Sequence, residues 1–350
     1  MAVIEFDNTK HLDIVLIGRA AIDFNPNELN RTLDKVNTFT KYVGGSPANI
    51  AVGVSKLGKK AGFIGAVSDD QFGTFVVDYF NERDIDTTGI VRAKNGENLG
   101  LTFTEISSPT DSQILMYRNG VADLQISTDD VSENYIKNSK ILLVSGTALA
   151  ASPSREACFL AIKYAKKHGV KVIFDIDYRA YTWKSKAEIG IYYSLVGQMS
   201  DIIIGSREEF ELTEMLPEGN QVPNYEIAEK YMSFGNKIVI IKHGKKGSIA
   251  YSADKKSFKV QSFNIKLLKS FGGGDAYASA FIYGLLEGWS IDKALEYATA
   301  HAAMVVASHS CSDAMQSAAA IHAFIEAHKS EKVINKSEKV ITPTGWRDEL

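Results

Sequence analysis

The chain has 350 residues, 45% of them hydrophobic, which suffices for a sizeable core and is too many for a disordered chain. Its formal net charge of -3 offers no basic field to nucleic acid or an anionic membrane. Cys158 and Cys311 are the only cysteines, with no CxxC and no pairing pattern, which argues against zinc and disulfides and for a reducing, cytoplasmic compartment.

Glu5, Asp7, Lys10 and Asp13 interrupt the opening segment, so it reads as neither a signal nor a transit peptide. No apolar run approaches the roughly 20 residues that span a bilayer. The first buried strand is expected at 14–17. It is followed by Gly18-Arg19-Ala20-Ala21 rather than the glycine fingerprint of a dinucleotide fold, which sets aside a Rossmann oxidoreductase. Further Ile- and Val-rich runs at 62–67, 141–144, 170–174, 201–204 and 237–241 alternate with helical patterns such as 153–168 and 223–234. Such order predicts an α/β fold around a mostly parallel sheet. Residues 19–43 and 92–126 lack helical periodicity, and the second alternates through Leu101-Thr102-Phe103-Thr104 and Ile114 to Arg118. We expect the two to form one small antiparallel lid; a pair of surface hairpins is the alternative. The main domain would then comprise 1–18, 44–91 and 127–326. Residues 327–350 read as a peripheral extension with a short repeat, and the terminal Arg347-Asp348-Glu349-Leu350 as a chance likeness to a retention signal.

Two glycine-rich stretches carry chemistry. In Ser270-Phe271-Gly272-Gly273-Gly274-Asp275, three glycines lead into a helix-forming segment. Glycines let successive N–H groups converge, and a helix N-terminus adds free donors and partial positive charge. Together they suit an anion such as phosphate, with Asp275 at the mouth as a proton acceptor. The same pattern also fits an Asp that merely caps an ordinary helix. It is not a Walker A loop, because no Gly-Lys-Ser/Thr follows. Upstream, Gly44-Gly45-Ser46-Pro47-Ala48-Asn49 reads as a close backbone approach followed by a helix start. Asn49 in the first turn either projects to that spot or faces solvent.

Together these stretches resemble the ribokinase family of carbohydrate kinases, the PfkB superfamily, over about residues 12–326. Residues 269–282 match that family's second signature throughout; the first matches from Gly44 to Ala51 and at Gly58, and fails where Ser68 replaces a glycine. The resemblance implies a ribokinase-like three-layer fold with a small β-sheet lid, ATP and Mg2+ as cofactors, and a homodimer formed through the lid. It implies that Asp275 is the catalytic base and that Gly272, Gly273 and Gly274 form the anion hole. Asp23, Gly45 and Asn49 would hold the sugar. Gly244 and Gly247 would contact the phosphates of ATP, and Thr299 the adenine. The family's Asn-x-x-Glu element falls on Ser206 and Glu209, with Glu209 acting on magnesium through water and Ser206 departing from the family's asparagine.

Most relatives have Asp where Lys269 stands, beside a monovalent cation, and the family glycine near that cation is Ser310 here. A lysine ammonium in place of the cation predicts activity without potassium. Arg118, in the lid, and Arg179, in Asp175-Ile176-Asp177-Tyr178-Arg179, would present planar forks to a carboxylate, which implies an acidic sugar. The latter stretch resembles an element of 2-keto-3-deoxygluconate kinases. Together with residues 18–23 and 269–271 it resembles a branch of bacterial myo-inositol catabolism that phosphorylates the terminal hydroxyl of a deoxy keto-sugar acid. Ketodeoxygluconate, fructose and nucleoside kinases remain alternatives. A non-catalytic sugar-binding regulator is the alternative of another class, though it should have lost Asp275. His301 and His309 lack metal-ligand spacing and read as packed helix residues.

Overall fold

Runs of Ile and Val flanked by turn residues form thirteen strands among the described residues of the computed structural model, which are 4–108, 111–181, 183–217 and 222–328. In chain order they are β1 (Leu12–Ile17), β2 (Ala21–Pro26), β3 (Phe39–Gly44), β4 (Ala61–Val67), β5 (Asp86–Arg92), β6 (Leu101–Ser108), β7 (Asp111–Tyr117), β8 (Ser139–Ser145), β9 (Lys171–Asp175), β10 (Ile202–Ser206), β11 (Ile238–Lys242), β12 (Ser248–Ser252) and β13 (Lys256–Val260). The repeat and terminal tetrapeptide of the 327–350 extension lie outside the described residues; the last helix, Ala318–Ala327, ends where that extension begins.

Nine strands make one sheet in the order β13-β12-β11-β10-β9-β8-β1-β4-β5. All neighbours from β11 to β5 run parallel, while β12 and β13 add antiparallel pairs at one edge. The central strands are buried on both faces, which is why they read as continuous apolar runs. Period-two alternation splits their side chains between two cores. Ile14, Leu16, Ile141 and Leu143 face helices 46–56, 273–286 and 291–306 through residues such as Ile50, Phe281 and Ala298. Val15, Ile17, Leu142 and Val144 face helices 154–167, 186–199 and 224–233 through Ala161, Tyr193 and Ile227. This is the expected three-layer arrangement, with each fully buried Ile or Phe contributing about 1.5–3 kcal/mol before entropy is charged.

The sequence reading missed β5, β12 and β13. The edge strands β5 and β13 are mostly half-buried, so no apolar run marks them.

A second sheet of four strands, β3-β2-β6-β7, stands apart from the first. It is mixed rather than wholly antiparallel, as β2 pairs parallel with β6. The chain between them passes through the main sheet, so β6 arrives by a long crossover rather than a hairpin. Register places Asp23, Thr102 and Met116 on one face and Phe24, Phe103 and Leu115 on the other. The polarity is inverted relative to an ordinary half-buried sheet. Asn25, Thr102 and Thr104 are buried, whereas Leu115 is 42% and Tyr117 59% exposed. The inward face is thus a polar surface turned toward the main domain.

Candidate active site

Parallel α/β sheets place their ligand crevice at the carboxyl ends of the strands. Here those ends supply Asp175 and Asp177 after β9, Ser206 on β10 and Lys242 on β11. They line a cleft of about 1010 Å³ with the glycine turn, lid residues Ser112 and Ile114, and Thr299. That volume exceeds what one small sugar requires.

Helix 273–286 begins at Gly272, whose φ of +84° lies in the left-handed region. A Cβ there would sit 2.4 Å from Cys311 Sγ, so only glycine fits both backbone and neighbour. The three glycines of the turn line the cleft. Asp275, one turn in, is 8% exposed. Ser46 Oγ donates to its Oδ1 at 2.7 Å and Asn49 Nδ2 to its Oδ2 at 2.8 Å. Two residues of the upstream signature thus orient the carboxylate of the downstream one, across 229 and 226 positions of chain. Gly45, with φ +98°, allows this meeting, since a Cβ there would lie 2.3 Å from the Arg19 carbonyl oxygen.

The carboxylates form a charged row. Burial, reinforced by Asp177, raises the Asp275 pKa to about 6; Ser46, Asn49 and Arg179 oppose the rise. Asp175, which accepts from the same Ser46 hydroxyl at 3.1 Å, is raised by burial to about 8, against the pull of Lys242. Burial thus pushes both carboxyls of the row upward, Asp175 further than Asp275. A base poised near the working pH is what proton abstraction needs. Asp177 has a φ of +39°, a strained setting for a non-glycine residue, and pairs with Arg179 at 3.0 Å. The Asp177 carboxylate in turn raises the Arg179 pKa, so that guanidinium stays charged.

Gly272, Gly273, Gly274, Asp275, Arg179, Ser206, Glu209, Gly244, Gly247, Thr299 and Lys269 all line this cleft. Asn49 reaches it through Asp275. Asp23 lies on the inward face of the second sheet, its Oδ1 without a partner and its pKa raised by burial. Ser206 and Glu209 form a reciprocal helix cap: Glu209 Oε2 accepts from Ser206 N at 2.6 Å, and Oε1 accepts from Tyr178 N at 2.8 Å. The Thr299 hydroxyl donates within its own helix to Leu295 O.

Arg118 departs from expectation. It is 2% exposed, pairs with Asp123 and donates to Thr147 O at 2.9 Å, and it does not line the cleft. A carboxylate five residues downstream neutralises it, so the two-arginine clamp is not assembled. His301 is a satisfied core residue between Ala276 O and Gln316 N.

Lys269 is wholly buried, and its Nζ donates to Ser310 O at 2.9 Å and Val305 O at 3.2 Å, with Cys311 Sγ at 3.7 Å. Two backbone carbonyls and a thiol thus surround the ammonium. Lys242 was missed at sequence level. Its Nζ lies 3.4 Å from where a Gly274 Cβ would stand, so it adds positive charge at the glycine turn. A lysine ending a strand just before the Gly244 loop was the available signal.

Comparison with known proteins bears on this geometry. The pattern of pfkB family carbohydrate kinases matches residues 11–318. A 5-dehydro-2-deoxygluconokinase of Clostridium tetani is 61% identical over 331 residues, 95% of this chain and 98% of that one. Its namesake in Geobacillus kaustophilus is 52% identical over 336 residues, 96% and 100% of the two chains. Among solved structures, an E. coli protein bearing the name Ribokinase II, in complex with ATP and Mg2+, superposes with a TM-score of 0.81 at 23% identity, over 91% of this chain and all of that one.

Proposed function

Because the chain belongs to the pfkB family of carbohydrate kinases, we propose that it transfers the γ-phosphoryl group of ATP to the terminal hydroxyl of 5-dehydro-2-deoxy-D-gluconate, a step of inositol catabolism. The observation that carries the kinase chemistry is Asp275 at the head of the glycine turn, held by Ser46 and Asn49. The sugar acid is supported by the name shared by relatives more than half identical over nearly the whole chain.

Asp275 takes the proton of the terminal hydroxyl, whose oxygen then attacks the γ-phosphorus as the bond to ADP breaks. The amides of Gly272, Gly273 and Gly274 receive the charge spread over the transferring group, aided by the helix N-terminus and Lys242. Gly244 and Gly247 would hold phosphates and Thr299 would border the adenine, while Ser206 and Glu209 would help hold the magnesium that accompanies ATP. Magnesium bound with ATP supplies further neutralisation of phosphate charge. Asp23, Gly45 and Asn49 hold sugar hydroxyls, and Arg179, paired with Asp177, lines the same cleft. Lys269 replaces a monovalent cation, so the enzyme works without potassium; the carbonyls of Val305 and Ser310 around its ammonium support this.

On the outer face of the second sheet, exposed Leu115 and Tyr117 stand beside half-buried Phe24 and Phe103, which supports a homodimer through the lid. Two unpaired buried cysteines suit the cytoplasm, and among the described residues no helix is long and apolar enough to cross a membrane. A panel of acceptors with ATP and Mg2+, read as ADP release, tests the proposal. Turnover of the keto-sugar acid far above 2-keto-3-deoxygluconate and fructose is the expected outcome; the reverse order would remove this substrate.

A further inference from the structure

Arg19, at the bend between β1 and β2, has no part in the chemistry above. It is 5% exposed. Its Nη1 makes only long contacts to neutral acceptors, 3.4 Å to Thr102 Oγ1 and 3.8 Å to Met116 Sδ. Its Nε has no partner, and among the described residues Arg19 enters no ion pair. Arg118 is equally deep but is neutralised by Asp123, so it is Arg19 that remains available. An arginine cannot shed its proton to escape burial. An unpaired buried charge costs several kcal/mol, which a fold tolerates only if something else completes the site.

Three observations place that site beside the cleft, on the inward face of the second sheet, although neither Arg19 nor Asp23 lines the cleft itself. Thr102 and Met116 lie on the inward face of the second sheet, in register with Asp23. Asp23 Oδ1 is also without a partner, and Thr102 hydrogen-bonds Asp23 while accepting from Arg19. The Arg19 carbonyl is pressed against Gly45, next to Ser46, which holds Asp275. The surrounding charges also separate the arginines. Asp177 is the main charge beside Arg179, followed by Asp275 and Glu209, whereas Asp23 and Asp123 lead among the carboxylates around Arg19. Arg179 therefore belongs to the phosphoryl end and Arg19 to the other.

We propose that Arg19 is the residue that recognises the acid: its unpaired Nε edge receives the substrate carboxylate while Asp23 accepts a hydrogen bond from a nearby hydroxyl of the same molecule. One orphaned donor and one orphaned acceptor, close but not bonded to each other, call for a ligand that accepts at one point and donates at the next. A neutral sugar's hydroxyls can do both, but only an acid also neutralises the unpaired guanidinium charge. This assignment rests on the acidic-sugar reading above and names the specificity residue within it.

The test compares Arg19→Met and Arg19→Lys with wild type on 5-dehydro-2-deoxy-D-gluconate and on its primary amide, which keeps the shape and loses the charge. Arg19→Met should raise KM for the acid on the order of 100-fold with kcat changed far less, and leave KM for the amide within about threefold. Arg19→Lys should recover part of the loss on the acid. The ligand-free Arg19→Met protein should melt no lower than wild type, because an unpaired buried charge has been removed. An unchanged KM for the acid, or equal losses on acid and amide together with a lower melting temperature, would overturn the assignment while leaving the kinase reading intact. A wild-type enzyme that phosphorylates a neutral hexose but not the acid would sink the acidic-sugar reading, and this assignment with it.

Discussion

Asp275→Asn separates proton acceptance from architecture. The carboxylate accepts two hydrogen bonds, from Ser46 Oγ and Asn49 Nδ2. An asparagine can keep both: its carbonyl accepts from Asn49, and its amide donates to Ser46 Oγ. The Ser46 hydroxyl then turns to Asp175, 3.1 Å away. Geometry and anion hole survive, and only basicity is lost. General-base removal costs about 10²–10⁴-fold, so kcat should fall by that factor while ATP affinity holds. Stability should move the other way. The folded pKa of about 6 lies above the ordinary aspartate value of 3.8, so the folded state favours the protonated acid. Wild-type stability from this group is present at low pH and lost as pH rises through about 6, a burden of roughly 3 kcal/mol above it. Asparagine carries no such burden, so the melting temperature of the variant should exceed that of wild type more at pH 8 than at pH 5. Single-turnover kinetics and thermal melts at both pH values measure the two effects. Near-normal turnover, or a stability gap that grows toward acid, would refute the reasoning.

Wild-type kcat/KM should fall on the acid side with an apparent pKa of about 6. Arg179→Met removes a positive charge that favours the carboxylate, so the limb should move to higher pH; movement to lower pH would contradict the charge row. Rate against KCl, with an inert salt at matched ionic strength, should be flat for wild type. Lys269→Asp should lose at least tenfold in kcat and regain part of it on adding KCl, and strong activation of wild type by potassium would dismiss Lys269 as the cation. Tyr117→Glu, in the exposed lid face, should shift sedimentation toward monomer while the monomer keeps its fold by circular dichroism. A dimer that persists would place the interface elsewhere.

The alternation of buried strands and helices, the glycine turn and the base were legible from the sequence, because each rests on local rules. Continuous apolar runs mean strands covered on both faces, and glycines before small residues mean a helix start with free amides. Edge strands β5 and β13 were not legible, since partial burial leaves no period to read. The arginines show the same limit at the site. Arg118 and Arg179 stood out in sequence by type and neighbourhood, and Arg19 did not. What a charge can bind depends on which opposite charge the fold has already placed beside it. Asp123 occupies Arg118, Asp177 sits beside Arg179, and the bend between β1 and β2 leaves Arg19 unpaired. The two signatures could likewise be recognised separately, but only the fold joins Ser46 and Asn49 to Asp275. Hydrogen bonds between residues more than two hundred positions apart follow from how the layers pack, and no local pattern encodes them.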